Sequence, residues 1–293
     1  MGYSGRYHAA SLVAVFIALA IGILIGVGLA DDVVSTASQE LENSLRSDLD
    51  DATGNVDDLE QQLGRERDFG ERIYPALVAG RLAGSTVAVV GFGELSDETV
   101  TDIETAVEPA GASVDALAVV EVPPDPGALA AAAGQRFAGA RRGGEDLERL
   151  GRSAGGGLVG GSKLLSDLRG TLFSRFSGTL AEVDRVIFAG AIPEDLDAKD
   201  REDTTALLTG ITDGARGRAA GTVAVERTDV EPSSLQAFRD AGIATVDHID
   251  LVAGRVATVF SLLGADGDYG IKPGADRFLP ELISPASRQP VVP

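Results

Sequence analysis

This 293-residue chain has no cysteine, one methionine (Met1) and two histidines (His8 and His248). Disulfides, zinc–thiolate centres and cysteine nucleophiles are therefore excluded. His248 lies in the run Val246-Asp247-His248-Ile249-Asp250, just after an apolar stretch that predicts a strand. An imidazole flanked by carboxylates is a donor set for a divalent ion. Asp247, His248 and Asp250 are thus the candidate metal group, and a hydrogen-bonded loop is the other reading of the same residues. A Ser-His-Asp triad would need this same histidine, and no Gly-x-Ser-x-Gly elbow supplies its serine. The chain is read as non-enzymatic, with no catalytic residue and no assigned cofactor.

Two glycine loops invite a phosphate reading and fall short of it. Gly91-Phe92-Gly93 follows an apolar run, but Ser96 stands where a dinucleotide fingerprint needs its third glycine. A tight strand-to-helix turn accounts for both glycines. Gly156-x-x-x-x-Gly161-Ser162-Lys163 inverts the Lys-Ser order that a P-loop requires, and no apolar strand precedes it. The tract 155–161 reads as a flexible connector.

The elements that must position these residues begin at Gly84. Thr86–Phe92 is a continuous apolar run of the buried-strand type. Ser96 then caps a helix with Asp97 and Glu98 in its first turn, and Gly111 ends it. Further strands are expected at 112–120, 185–189, 222–225 and 243–246. Helices are expected within 128–152 and at 164–180, 203–216, 233–241 and 252–263. This alternation implies an α/β domain over 84–265, a parallel sheet covered on both faces, with Rossmann-like or flavodoxin-like order left open. Residues 266–293 form a Gly/Pro-rich tail.

Before the domain lie two helical segments. Residues 9–30 carry no charge, with Arg6 before them and Asp31 and Asp32 after. At 1.5 Å rise per residue they reach roughly 33 Å, enough for a hydrocarbon core of about 30 Å. Positive-inside logic places residues 1–8 in the cytoplasm and the remainder outside, as a single-pass protein in the lipid bilayer. Gly28-Leu29-Ala30 also suits a signal peptidase, so cleavage is the competing expectation. Ala14, Ala18, Gly22 and Gly26 form part of a small-residue stripe that suits helix pairing. Across 31–70, Leu45, Leu49, Ala52, Val56, Leu59 and Leu63 recur at alternating steps of four and three, an a/d seam. A coiled-coil stalk and a homodimer through anchor and stalk are the expectation.

Charge narrows the partners. Asp and Glu number 45 against 25 Lys and Arg, a net charge of -20. Such a balance argues against nucleic acid, whose phosphates call for a basic face.

Four stretches then resemble one family. "RYHAASLVAVFIALAIGILIG", "LVAGRLAGSTVAVV", "VDHIDLVAGRVATVFSLLG" and "DYGIKPGADRFLP" are similar to the MctB copper-transporter family, in order along most of the chain. The resemblance implies an actinobacterial outer-envelope location and copper as the species handled, by a channel or efflux protein. A second association of relatives, with division and cell-wall proteins, implies an envelope scaffold or regulator with a protein partner. Copper(I) favours thiolate and thioether donors. With no cysteine and a lone Met1, copper on this chain would meet histidine and carboxylate, as Cu(II).

Overall fold

The computed structural model describes residues 4–193 and 195–281. The chain divides into two compact units, residues 1–67 and 68–293. One helix, α1 (Ser4–Val78), crosses that division. Its first proline is Pro75, so no missing amide interrupts the earlier turns.

In the first unit, Tyr7–Gly26 is apolar enough and long enough to cross a membrane, with a mean hydropathy of 2.7. All its side chains are exposed, as are Leu41, Leu45, Leu49, Val56, Leu59 and Leu63 further on. The side chains around the expected cleavage site, Gly28-Leu29-Ala30, lie outside the described residues, as does the tail beyond 281.

The second unit opens with the last turns of α1. Tyr74 and Val78 are buried, and Gly70 lies against Val252. Glu71 and Arg255 form a two-pronged ion pair at 2.9 and 3.0 Å. The chain then runs β1 (Thr86–Phe92), α2 (Asp97–Val107), β2 (Ser113–Val120), α3 (Pro126–Ala133), α4 (Gly144–Gly156) and α5 (Lys163–Leu172). It continues β3 (Phe173–Gly178), β4 (Arg185–Ala189), α6 (Ala198–Arg216) and β5 (Gly221–Val225). Last come α7 (Gln236–Asp240), β6 (Thr245–Val246), α8 (Val252–Leu262) and β7 (Asp268–Tyr269). Ser96 caps α2 by accepting from the Thr99 amide.

The seven strands form one mostly parallel sheet in the order β3-β2-β1-β4-β5-β6-β7. Successive β1 residues face opposite sides. Ala88, Val90 and Phe92 join the core beneath α4, α5 and α6, whereas Val87 and Val89 join that beneath α1, α2 and α8. The expected alternation fails at one place. Residues 173–178 are not the end of a helix but the antiparallel edge strand β3, paired with β2. Phe173 and Phe176 stand three apart, a helical spacing, and the strand accommodates it by an irregularity that leaves Ser174 out of the pairing with β2.

The glycine tract is a second correction. Gly155 and Gly156 belong to α4 and form a packing surface, while residues 157–160 make the turn that follows. Gly151 and Gly155 face Gly210 and Gly214 of α6. A Cβ on Gly155 would sit 2.0 Å from the Ile211 carbonyl oxygen, and one on Gly214 would sit 2.0 Å from that of Arg152. Glycines four apart on both helices let the backbones touch. The Gly/Pro-rich tail is also partly structural, because Asp268–Tyr269 adds β7 to the sheet.

Candidate functional site

In an open α/β sheet, ligands bind beyond the carboxyl ends of the strands, where the strand order reverses. Here that point lies between β1 and β4. Gly93 follows β1 with φ +71°, and a Cβ there would come within 2.5 Å of the Ala191 carbonyl oxygen. Glycine is therefore required by the close approach of the two loops. Their backbones exchange hydrogen bonds, Glu94 N to Ala191 O at 3.2 Å and Ala191 N to Glu94 O at 2.8 Å. A crevice of about 380 Å³ opens here, lined by Glu94, Ser96, Thr99, Gly190 and Glu226 among others.

Glu226, directly after β5, is a buried charge of this edge. Its carboxylate accepts from the Ser234 amide at 3.0 Å and from Lys272 Nζ at 2.9 Å. Lys272 also donates to the carbonyls of Arg227 at 2.8 Å and Val230 at 2.6 Å. All three ammonium protons thus have acceptors, which offsets the cost of burying the pair. Neighbouring Arg227 pairs with Asp102 of α2. Burial pushes the Asp102 carboxyl above its ordinary value, against the pull of that arginine.

The sequence-derived metal candidates follow β6, one edge position further on. Asp247 is fully buried and accepts the backbone amides of Ile271 and Lys272 at 2.9 and 2.8 Å. A Cβ on Gly270 would lie 2.0 Å from that carboxylate, so the tail can close over Asp247 because residue 270 is glycine. Asp250 accepts from the Thr228 amide at 2.8 Å and the Thr228 hydroxyl at 2.6 Å. Burial pulls its carboxyl upward, but the Thr228 hydrogen bonds outweigh that and hold it below its ordinary value.

His248 is completely buried and stacks on Phe278 of the tail, with ring centroids 5.3 Å apart. Its Nδ1 lies 3.2 Å from Asp247 Oδ1, outside hydrogen-bond alignment, and neither ring nitrogen has a hydrogen-bond partner. Burial drives its pKa below the ordinary histidine value, against the attraction of Asp247. The two aspartates are committed to different loops, Asp247 to the tail and Asp250 to the turn after β5. Among the described residues, no group of three His, Cys, Asp or Glu is placed to hold a metal.

Sequence reasoning passed over Glu226 and Lys272. One signal was available: Lys272 is among three lysines in the chain and lies in a Gly/Pro-rich stretch. A charge there suggests a buried partner. The helix-pairing candidates Ala14, Ala18, Gly22 and Gly26 all lie on α1 and are exposed, and nothing approaches within 4 Å of where a Cβ would stand on either glycine. Lys163 of the P-loop-like run pairs with Asp167 at 2.7 Å, and Ser162 caps α5.

Comparison with known proteins bears on the whole arrangement. The family model described as "Copper transport outer membrane protein, MctB" matches residues 3–280. Copper transporter MctB of Mycobacterium bovis is 29% identical over 111 residues, 38% of this chain and 35% of that protein. Copper transporter MctB of Mycobacterium tuberculosis matches to the same extent. The aligned stretch thus spans about a third of those relatives. The match over residues 3–280 takes in the apolar helix, the sheet and the Lys272 tail alike, and the chain belongs to the MctB family.

Proposed function

We propose that this chain serves copper transport at the cell envelope as a single-pass membrane protein. Its α/β unit lies outside the cytoplasm and binds or presents rather than conducts. The family supplies the copper assignment. The observation that carries the non-conducting part is the burial of β1, where six of seven residues are buried, on both faces of the sheet. A membrane-barrel strand instead alternates lipid-facing apolar residues with polar lumen residues. The role is non-enzymatic.

Deletion of the gene and re-expression of the full chain tests the copper part. Copper tolerance is expected to fall and then recover. Reconstitution of the same chain in planar bilayers tests the rest. Discrete conductance steps that scale with protein would sink the non-conducting reading while leaving the copper role intact.

A second reading, an envelope scaffold that dimerises through α1 and recruits another envelope protein, is favoured by the exposed seam. Leu45, Leu49, Leu59 and Leu63 are each more than half exposed in one chain. The absence of native cysteine makes the check direct. Leu49→Cys in membranes is expected to form a disulfide-linked dimer, and a chain that stays monomeric under oxidation rules the seam out.

A further inference from the structure

Away from the sheet edge, α4, α6 and their flanking turns enclose a groove of about 540 Å³. Arg136, Arg149, Arg152 and Arg218 line it, with Phe137 and Leu164 as apolar walls. Four guanidiniums in one groove stand out in a chain of net charge -20.

The local charges do not cancel. Arg149 pairs with Asp146 at 2.9 Å, but Asp146 is shared with Arg142. Arg152 reaches Glu148 at 2.6 Å and Asp213 at 3.1 Å, and Asp213 is shared with Arg216. Six arginines thus stand against three carboxylates, since no described carboxylate lies within 4 Å of Arg136 or Arg218. Arg136 is held over the Phe137 ring at 5.3 Å. Arg218 lies across Gly156, where a Cβ would come within 3.2 Å of its Nε. Both uncompensated guanidiniums are therefore positioned by packing rather than by an acid.

We infer that this groove binds a phosphate-bearing ligand. A guanidinium presents paired donors that match phosphate oxygens, and its charge persists at every physiological pH. Arginines arriving from the turn before α4, from α4 itself and from the segment after α6 approach from several directions. That suits a tetrahedral, multiply charged anion better than one planar carboxylate. The volume is that of a small-molecule site. Four arginines against one lining carboxylate, Asp213, leave the cleft net positive, which concentrates counter-ions against an otherwise repelling protein. The shared chemistry is the phosphate, whether it comes from a free diphosphate or from a phospholipid headgroup.

The test is calorimetric titration of the full-length chain in neutral detergent. Inorganic pyrophosphate probes the free source, and glycerophosphoglycerol, the free headgroup of phosphatidylglycerol, probes the lipid source. Saturable binding that weakens with added salt is expected from at least one probe, and the tighter probe identifies the source. The Arg136→Ala/Arg218→Ala variant should weaken binding at least tenfold, while Arg46→Ala on α1 leaves it unchanged. Arg136 and Arg218 are exposed, so an unaltered melting temperature verifies that the double variant is folded. No binding of either probe overturns the inference. So does equal affinity in the double variant, or competition by polyglutamate as strong as that by pyrophosphate.

Discussion

Glycines four residues apart occur in both units of this molecule, and their surroundings differ completely. Gly151 and Gly155 of α4 meet Gly210 and Gly214 of α6 so closely that added Cβ atoms would overlap backbone. Gly22 and Gly26 of α1 have nothing within 4 Å. The same contrast holds for the large apolar residues. Leu147, Leu150 and Leu208 of the second unit are 1% exposed or less, whereas Leu45, Leu49 and Leu63 of α1 are 59% to 68% exposed. The second unit shows what each pattern does when its partner lies in the same chain. The first unit carries both patterns with no partner for either among the described residues.

Breaking the seam gives the largest expected effect. Leu49→Asp with Leu59→Asp removes four leucines from a two-chain interface. At roughly 1.5 to 3 kcal/mol per buried leucine, the dimer should weaken more than 100-fold. Sedimentation of the full chain in detergent measures it. The melting temperature of the second unit should not move, since both residues belong to the first unit. Dimers that persist in the variant would return the seam to an ordinary solvated helix face.

Next in size is Gly155→Ala. The new methyl group meets the Ile211 carbonyl oxygen at 2.0 Å, so α4 and α6 must part along their length. A loss of about 3 kcal/mol in urea unfolding is expected, the upper range for overpacking. The matched change in the other unit, Gly54→Ala, meets nothing within 4 Å. It should stabilise the helix by about 1 kcal/mol through propensity alone. Opposite signs from one chemical change would sharpen the contrast between the units, and equal signs would dissolve it.

Ion pairs repeat the comparison at smaller scale. Arg255 is a nearly buried cation held by both oxygens of Glu71. Glu71→Gln leaves that cation short of its counter-charge. Because Glu71 itself is 43% exposed, water reduces the penalty to about 1 to 2 kcal/mol. On α1, Arg46 and Glu42 pair at 3.2 Å with both side chains 68% exposed. Arg46→Ala should cost less than about 0.5 kcal/mol. Urea midpoints of the two variants measure the difference.

The parts of this fold that were legible in the sequence are those set by local chemistry. Thr86–Phe92 and Arg185–Ala189 read as buried strands because continuous apolar runs between turn signals have little else to be. The Ser96 cap and its two following acids fix the start of α2. What was not legible depends on long-range pairing. Residues 173–178 form β3 because the open edge of β2 accepts them, although Phe173 and Phe176 stand at helical spacing. Glycines 151, 155, 210 and 214 mark a helix seam once α4 and α6 are side by side, and composition alone reads such a tract as a linker. At the candidate site, Asp247, His248 and Asp250 follow β6 at the sheet edge, where the end of an apolar run places them. Their partners, from Ile271, Lys272 and Phe278, lie more than twenty residues away and carry no short-range signal.

His248 provides the finest distinction, because its effect belongs to the second unit and appears with pH. Its pKa in the folded chain is depressed by burial, below the value near 6.5 of an exposed histidine. Between those two values the unfolded chain binds a proton that the folded chain refuses. Stability from this residue is therefore fully present above about pH 6.5 and declines as pH falls through the window, levelling off below the folded pKa. The depressed carboxyl of Asp250 acts lower, losing its contribution as pH falls from about 3.9 through its own folded value. The two are thus separable. His248→Phe keeps a ring against Phe278 and removes the titrating nitrogens. Between pH 7 and 5 the melting temperature of the native chain should drop relative to that of the variant, by an amount on the order of a few degrees. A difference that stays constant with pH would mean that the ring titrates alike in the folded and unfolded chain, and a native chain that gains on the variant toward pH 5 would mean that Asp247 overcomes its burial.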